Sequence, residues 1–204
     1  MHLEFLVEEP SAEAALRKLV PKIIGTEHTF AVHPHQGRKD LLQRLGRRLR
    51  GYSHWLPATC RIVVLIDEDR ADCHRLKRDL EAVARDAGLS TPAAASASGD
   101  VRVVNRIAVE ELEAWFLGDA AAVRGASPRV SPRFETRKTY RDPDAVAGGT
   151  WEALERLLQR KGYHQGGLAK IEAATRISEH MDPDRNRSRS FVAFRDALRL
   201  LVGP

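Results

Sequence analysis

Cysteine, methionine and aromatic residues are what this 204-residue chain has least of: two Cys, two Met and 6% Phe, Trp and Tyr. Cys60 and Cys73 are too few for a disulfide scaffold or a cysteine-rich zinc site. Long hydrophobic runs are also missing, so no membrane association is expected. The opening segment MHLEFLVEEP carries acids where a secretory signal carries bases, and reduced thiols fit a reducing compartment, so a cytoplasmic location is expected. There is no internal repeat. The 43% hydrophobic content excludes general disorder, and the length suits one domain or a core with an extension.

The charge is segregated. Thirty-three basic and 28 acidic residues give +5 overall. Glu4, Glu8, Glu9 and Glu13 precede any Lys or Arg, whereas residues 38–50 hold Arg38, Lys39, Arg44, Arg47, Arg48 and Arg50 against Asp40 alone. This pattern suits an anionic partner on one face and a separate acidic site, or simply a solvated amphipathic helix.

Strand-like and helical patterns alternate through the first part of the chain. Leu3–Val7, His28–His33, Arg61–Ile66 and Val101–Val109 read as strands. Ser11 reads as the N-cap of a helix that Gly25 ends. Further helices are expected after Gly37 through Leu49, around Leu76–Ala84, and over Glu110–Leu117. Gly51–Thr59 and Thr91–Gly99 read as loops. The run Ile62–Ile66 is continuously apolar, as in a central strand covered on both faces. The expected fold is therefore α/β, with a mainly parallel sheet flanked by helices. Beyond Asp119 the pattern changes. Ser127–Asp144 reads as irregular, and Trp151–Lys161, Leu168–His180 and Ser190–Leu201 read as helices. Residues 1–118 are expected to form the core and 119–204 a helical extension packed on it as one structural unit.

Asp67 and Asp69 follow the most apolar strand, and Glu8 stands in the equivalent place after the first. Ligands of open parallel sheets bind outside the carboxyl ends of strands. If the two strands are neighbours, three carboxylates converge there and require a counter-charge. Mg²⁺, or Mn²⁺ in its place, binds through few carboxylates together with water and phosphate. Asp-x-Asp also occurs by chance, and a strand-end Asp commonly serves only as a helix cap.

These residues resemble the TOPRIM superfamily, the fold of topoisomerase and primase catalytic domains and of OLD-type nucleases. Val7-Glu8-Glu9 and Asp67-Glu68-Asp69 stand where that superfamily carries a Glu after its first strand and an Asp-x-Asp after a later one. The chain is most similar to a TOPRIM-like family of unknown function found across bacteria. The resemblance rests on LVEEPSAEAAL (Leu6–Leu16), HPHQGRKDLL (His33–Leu42), VVLIDEDRADC (Val63–Cys73), EELEAWFLGD (Glu110–Asp119) and RNRSRSF (Arg185–Phe191). It implies a TOPRIM-like core and metal-dependent cleavage of a phosphodiester in DNA or RNA. It also implies an SMC-like ATPase partner in phage defence. Two positions depart from the pattern. Glu9 replaces a glycine, which is expected to crowd the turn. Ala12 stands where some relatives carry an acid, with Glu13 one residue away as a substitute metal ligand or a first-turn helix acid.

Glu111 and Glu113 are further candidates, each as a metal ligand or water base or as a helix-start acid. Trp115 and Phe116 are expected in the core. His33 and His35 lack a third ligand and more simply shape the site. Arg38 and Lys39 open a helix at a strand end, where a phosphate can bind. Arg185, Arg187 and Arg189 alternate with small polar residues before a helix and are candidate phosphate contacts, or else a polar linker. Lys170 ends GYHQGGLAK, which lacks Walker spacing, and is a candidate phosphate or substrate contact.

The leading expectation is a Mg²⁺-dependent nuclease in which Glu8, Asp67 and Asp69 bind metal. Two alternatives stand beside it. One is a haloacid-dehalogenase-like phosphatase using Asp67 as nucleophile. The other is a non-catalytic TOPRIM-like subunit that binds nucleic acid or an ATPase.

Overall fold

A computed structural model describes residues 1–69, 71–93 and 100–203. Four parallel strands form one sheet: β1 (His2–Val7), β2 (Thr29–Pro34), β3 (Cys60–Asp67) and β4 (Val103–Ala108), in the spatial order β2-β1-β3-β4. Helices α1 (Pro10–Ile24), α2 (Arg38–Trp55) and α3 (Cys73–Asp86) make the crossovers. The chain is thus α/β with a parallel sheet flanked by helices, and helical to its C-terminal end. Among the described residues no helix is long and apolar enough to cross a membrane.

Strand periodicity divides the core. Leu3, Phe5 and Val7 of β1 and Val63 and Leu65 of β3 face one side, with α1. Leu6 of β1 and Ile62, Val64 and Ile66 of β3 face the other, with α2 and α3. Because β2 lies on one side of β1 and β3 on the other, successive crossovers cover opposite faces. The order reverses between β1 and β3, and a switch point of this kind is where open parallel sheets form a crevice at the carboxyl ends of their strands.

The remaining helices join the α1 face: α4 (Glu113–Leu117), α5 (Ala120–Ala126), α6 (Thr150–Gln159), α7 (Lys170–His180) and α8 (Arg189–Val202). Trp115, Phe191 and Phe194 are wholly buried there and pack together with Phe5 of the sheet. Truncating any one of these rings in such a core costs about 3–5 kcal/mol.

Four elements depart from the sequence expectation. Helix α2 runs through Gly51 to Trp55, where a loop was expected. One helical glycine costs about 1 kcal/mol relative to alanine, and Tyr52 offsets it by burying its ring and donating to Glu4 at 3.0 Å. Helix α4 starts three residues later than expected because Glu110 adopts φ 60° and donates its N–H to the Glu68 carboxylate. Helix α5, capped by the Asp119 side chain, was not anticipated at all. The segment expected to be irregular, residues 127–144, carries three short 3₁₀ turns, Pro132–Thr136, Lys138–Tyr140 and Pro143–Ala145, the last ending one residue beyond it. Of the expected loop Thr91–Gly99, residues 94–99 lie outside the described residues.

The N-caps also moved. Glu9 occupies the cap position of α1 with Pro10 as the first helical residue, and the Ser11 hydroxyl donates back to the Glu9 carboxylate. Glu9 has φ −147°, extended backbone that any residue adopts, so the side chain there does not crowd the turn. Ser188, not Ser190, caps α8 by accepting the Phe191 N–H.

Candidate functional site

The crevice at the β1–β3 switch point collects the acids. Val7 pairs with Leu65, which sets Glu8 beside the end of β3. Its carboxylate accepts the Asp67 N–H at 3.3 Å. The β3 and β4 ends are stitched together beyond the sheet: Glu68 N–H donates to the Ala108 carbonyl and Asp69 N–H to the Glu110 carbonyl, both at 2.8 Å. Asp69 and Glu110 both hold positive φ (51° and 60°), a conformation that costs on the order of 1–3 kcal/mol per residue. This backbone arrangement presents the Asp67-Glu68-Asp69 segment at the rim.

The β2–α2 turn borders the same rim. His35 is buried, and its backbone N–H and Nδ1 both sit on the Val7 carbonyl, at 3.0 and 2.9 Å. Gly37 donates its N–H to the Glu8 carbonyl at 3.0 Å. Its φ of 86° is what demands glycine, because a Cβ there would meet nothing within 4 Å. Arg38 then donates to the Glu68 carbonyl at 3.0 Å and approaches Asp69 at 3.5 Å.

Two residues from the C-terminal half complete the cluster. Glu113, the first residue of α4, is 2% exposed, and its Oε2 is buried without a hydrogen-bond partner. Lys170, the first residue of α7, places Nζ 3.8 Å from Glu113 and 3.9 Å from Glu9, above the Trp151 ring. A lysine opposes the helix dipole at that end, and α7 has no side-chain cap. The acidic cluster supplies the compensating charge.

The electrostatics follow from this crowding. Burial first, then the charges of Glu8, Glu113, Glu9 and Asp69, raise the Asp67 carboxyl well above its ordinary range. Burial, together with Asp69 and Glu9, raises Glu8 despite the Asp67 N–H and Arg38. Burial lifts Glu113 to about 7, although Lys170 acts against it. The same carboxylates raise Lys170 despite its partial burial.

The donor set, all carboxylate oxygens with one orphaned, suits a hard divalent cation. Among the described residues, no three His, Cys, Asp or Glu side chains already stand close enough to hold an ion. The acids share one crevice but remain apart, as uncompensated like charges do.

The structure brings together Glu8, Asp67, Asp69, Glu113, Arg38 and Lys170 of the candidates. Lys39 lies exposed in the first turn of α2. The others have different tasks. Glu13 turns away along α1 to Arg17. Glu111 caps α6, accepting the N–H groups of Thr150 and Trp151 and the Thr150 hydroxyl, so it is not a free base. Arg185 forms a two-pronged bond to buried Asp119, both contacts at 2.9 Å. Arg187 pairs with Glu135 and Arg189 with Asp142. Asn186, Ser188 and Ser190 between them point inward, to Trp115 and Asp144. That loop is a clasp for α8, and its arginines are engaged by acids of the extension. Sequence reasoning missed Glu9 as a member of the cluster, although its adjacency to Glu8 was a signal. It also missed Lys170 as the counter-ion, for which no local signal existed.

Comparison with known proteins gave no match among curated proteins or solved structures. A family model covers residues 7–199, from the first strand into α8. The chain belongs to the family described as Domain of unknown function (DUF4276).

Proposed function

We propose that the protein is a divalent-metal-dependent nuclease that hydrolyses phosphodiester bonds of DNA or RNA at the β1–β3 crevice. The observation that carries this reading is that Glu8 and Glu113, from distant parts of the chain, both act on the charge of Asp67, while one oxygen of Glu113 is buried without a partner. Glu8, Asp67 and Asp69 would hold Mg²⁺ or Mn²⁺. When bound, the ion polarises the phosphodiester and lowers the pKa of water.

The chain's own residues do the rest. Glu113, with a carboxyl that titrates at about 7, takes a proton from the attacking water. The new bond joins water oxygen to phosphorus, the bond from phosphorus to the leaving sugar oxygen breaks, and that oxygen takes a proton from solvent while Glu113 returns its own to solvent. Lys170 and Arg38 flank the crevice and pair with non-bridging phosphate oxygens. The α6 cap keeps Glu111 out of this chemistry.

The test is cleavage of plasmid, single-stranded DNA and RNA in Mg²⁺ and Mn²⁺ by the wild type and by Asp67→Ala and Asp69→Ala. Wild-type cleavage that both substitutions abolish is expected. Cleavage that survives both overturns the reading.

A second reading, a non-catalytic subunit that binds nucleic acid or an ATPase, is favoured by the absence of a preassembled three-ligand group among the described residues. Calorimetric titration with Mn²⁺ separates the two, because this reading expects no metal uptake by the folded protein.

A further inference from the structure

On the face of the sheet opposite the C-terminal helices, a cleft of about 590 Å³ lies between α2 and the edge strand β2. This is within the range of small-ligand sites. Its floor is Glu4, 9% exposed. The Glu4 carboxylate accepts from His2 at 3.1 Å, His33 at 2.5 Å and Tyr52 at 3.0 Å. Burial raises its pKa, but these three bonds outweigh it and hold the group below its ordinary range. The floor's negative charge is therefore met within the protein and repels an anionic ligand little.

The wall is the outer face of α2. Arg44, Arg48, Tyr52 and Trp55 recur at spacings of four, four and three, so they form one stripe. Gly51 lines the cleft beside the Trp55 indole, and a Cβ there would stand 3.9 Å from the indole Nε1. Trp55 is 64% exposed and stands edge-on to Tyr52, with ring centroids 5.3 Å apart. Arg44 is bound by Asp40, and Arg48 donates to the Tyr52 hydroxyl. Arg47 is exposed and makes no ion pair with a described residue. The cleft thus presents a large aromatic surface beside a guanidinium not held by a neighbouring acid.

One end of the cleft shares the β2–α2 turn with the acidic cluster. His35 and Gln36 line it, and the same short turn bonds through His35 and Gly37 to the Val7 and Glu8 carbonyls. Helix α2 carries Trp55 toward the amino ends of the strands, about 25 Å along its axis from Arg38 at the rim, so a bound nucleic-acid strand would run along α2.

We infer that this cleft seats one nucleotide of a single-stranded nucleic acid, with its base stacked on Trp55 and its phosphate held by Arg47. An aromatic platform beside cationic groups is how such strands are bound without sequence readout. This inference rests on the nuclease reading for the class of substrate, and the cleft supplies a subsite separate from the acids.

The experiment measures binding of fluorescein-labelled oligothymidine and oligouridine to the full chain by anisotropy, in EDTA, so that no cleavage is required. Trp55→Ala is expected to weaken binding of the better probe at least fivefold, and Trp55→Phe to restore most of it. Arg47→Ala is expected to lower the slope of log affinity against log salt by about 0.7. Wild-type protein that binds the probe in EDTA yet cleaves neither DNA nor RNA in Mg²⁺ or Mn²⁺ would sink the nuclease reading and not this one. Binding unchanged within twofold in Trp55→Ala overturns the inference. So does displacement of the probe by polyglutamate or by a mononucleotide at the concentration at which unlabelled oligonucleotide displaces it.

Discussion

The Asp67 N–H points at the Glu8 carboxylate across 59 residues of chain, at 3.3 Å. This bond ties the carboxyl ends of two neighbouring parallel strands at the switch point of the sheet. It also places two acids where neither is solvated well enough to stay comfortably ionised, and four predictions follow from that neighbourhood and its surroundings.

Stability falls as pH rises through neutrality. The Glu113 carboxyl titrates near 4.5 when unfolded and at about 7 when folded, burial being the main cause. A raised carboxyl pKa means that the folded state binds the proton more tightly. Its contribution is therefore complete below about 4.5 and lost as pH climbs through about 7. Glu113→Gln removes that loss. Urea denaturation should show the variant more stable than wild type by about 1–3 kcal/mol at pH 8 and little changed at pH 5.

Divalent cations reverse the same penalty. Mg²⁺ or Mn²⁺ at about a hundredfold excess over Kd should stabilise the fold by about 2.7 kcal/mol, a Tm rise of roughly 5–10 °C for a chain of this size. The rise should be larger at pH 8 than at pH 5.5, because the raised carboxyls of Asp67 and Glu8 must lose their protons to bind a cation. Asp67→Asn should remove most of it. An equal shift in that variant, read by scanning fluorimetry, would contradict the assignment of Asp67 as a ligand.

Lys170 holds the cluster together in the absence of metal. Lys170→Met removes the cation that lowers Glu113, so the Glu113 carboxyl should titrate above its present value of about 7. Carbon-detected NMR of labelled glutamate reads this directly. Cleavage at pH 7 should fall by about 10²–10⁴-fold if Glu113 then stays protonated and the phosphate loses a partner.

The arginines of residues 185–189 should matter for folding and not for substrate. Arg185→Ala leaves the wholly buried Asp119 carboxylate without its two-pronged partner. The expected loss is about 1–3 kcal/mol, since the guanidinium itself is half exposed. Affinity for single-stranded oligonucleotide should be unchanged. Denaturant titration and anisotropy on the same sample check both halves.

The acids that were legible in the sequence are those that end strands. Asp67 follows five apolar residues and Glu8 follows three, and strands of a parallel sheet deliver their last residues to one rim whatever else the chain does. Glu111 and Glu113 could not be told apart in this way. They lie two residues apart around the start of a five-residue helix, and a difference of that size turns one carboxylate into the crevice and the other onto the α6 amides. Trp55 was hidden for a related reason. Gly51 reads as a break in isolation, and only the burial of Tyr52 against β1 and Glu4 shows that the helix continues to carry the indole onto the arginine stripe.

By itself, then, the sequence determined the alternation of strands and helices, the two-sided cover of β3, and the acids at the strand ends. Those are properties of short windows, where side-chain period and apolar content decide. The tertiary structure alone decided that β1 and β3 are neighbours, that Lys170 joins Arg38 in facing the acids, and that Arg185, Arg187 and Arg189 serve the extension. Which charge meets which depends on elements as far apart as α4 and α7 packing onto one face of the sheet. A charged side chain takes the partner that packing brings within reach, wherever that partner lies in the chain.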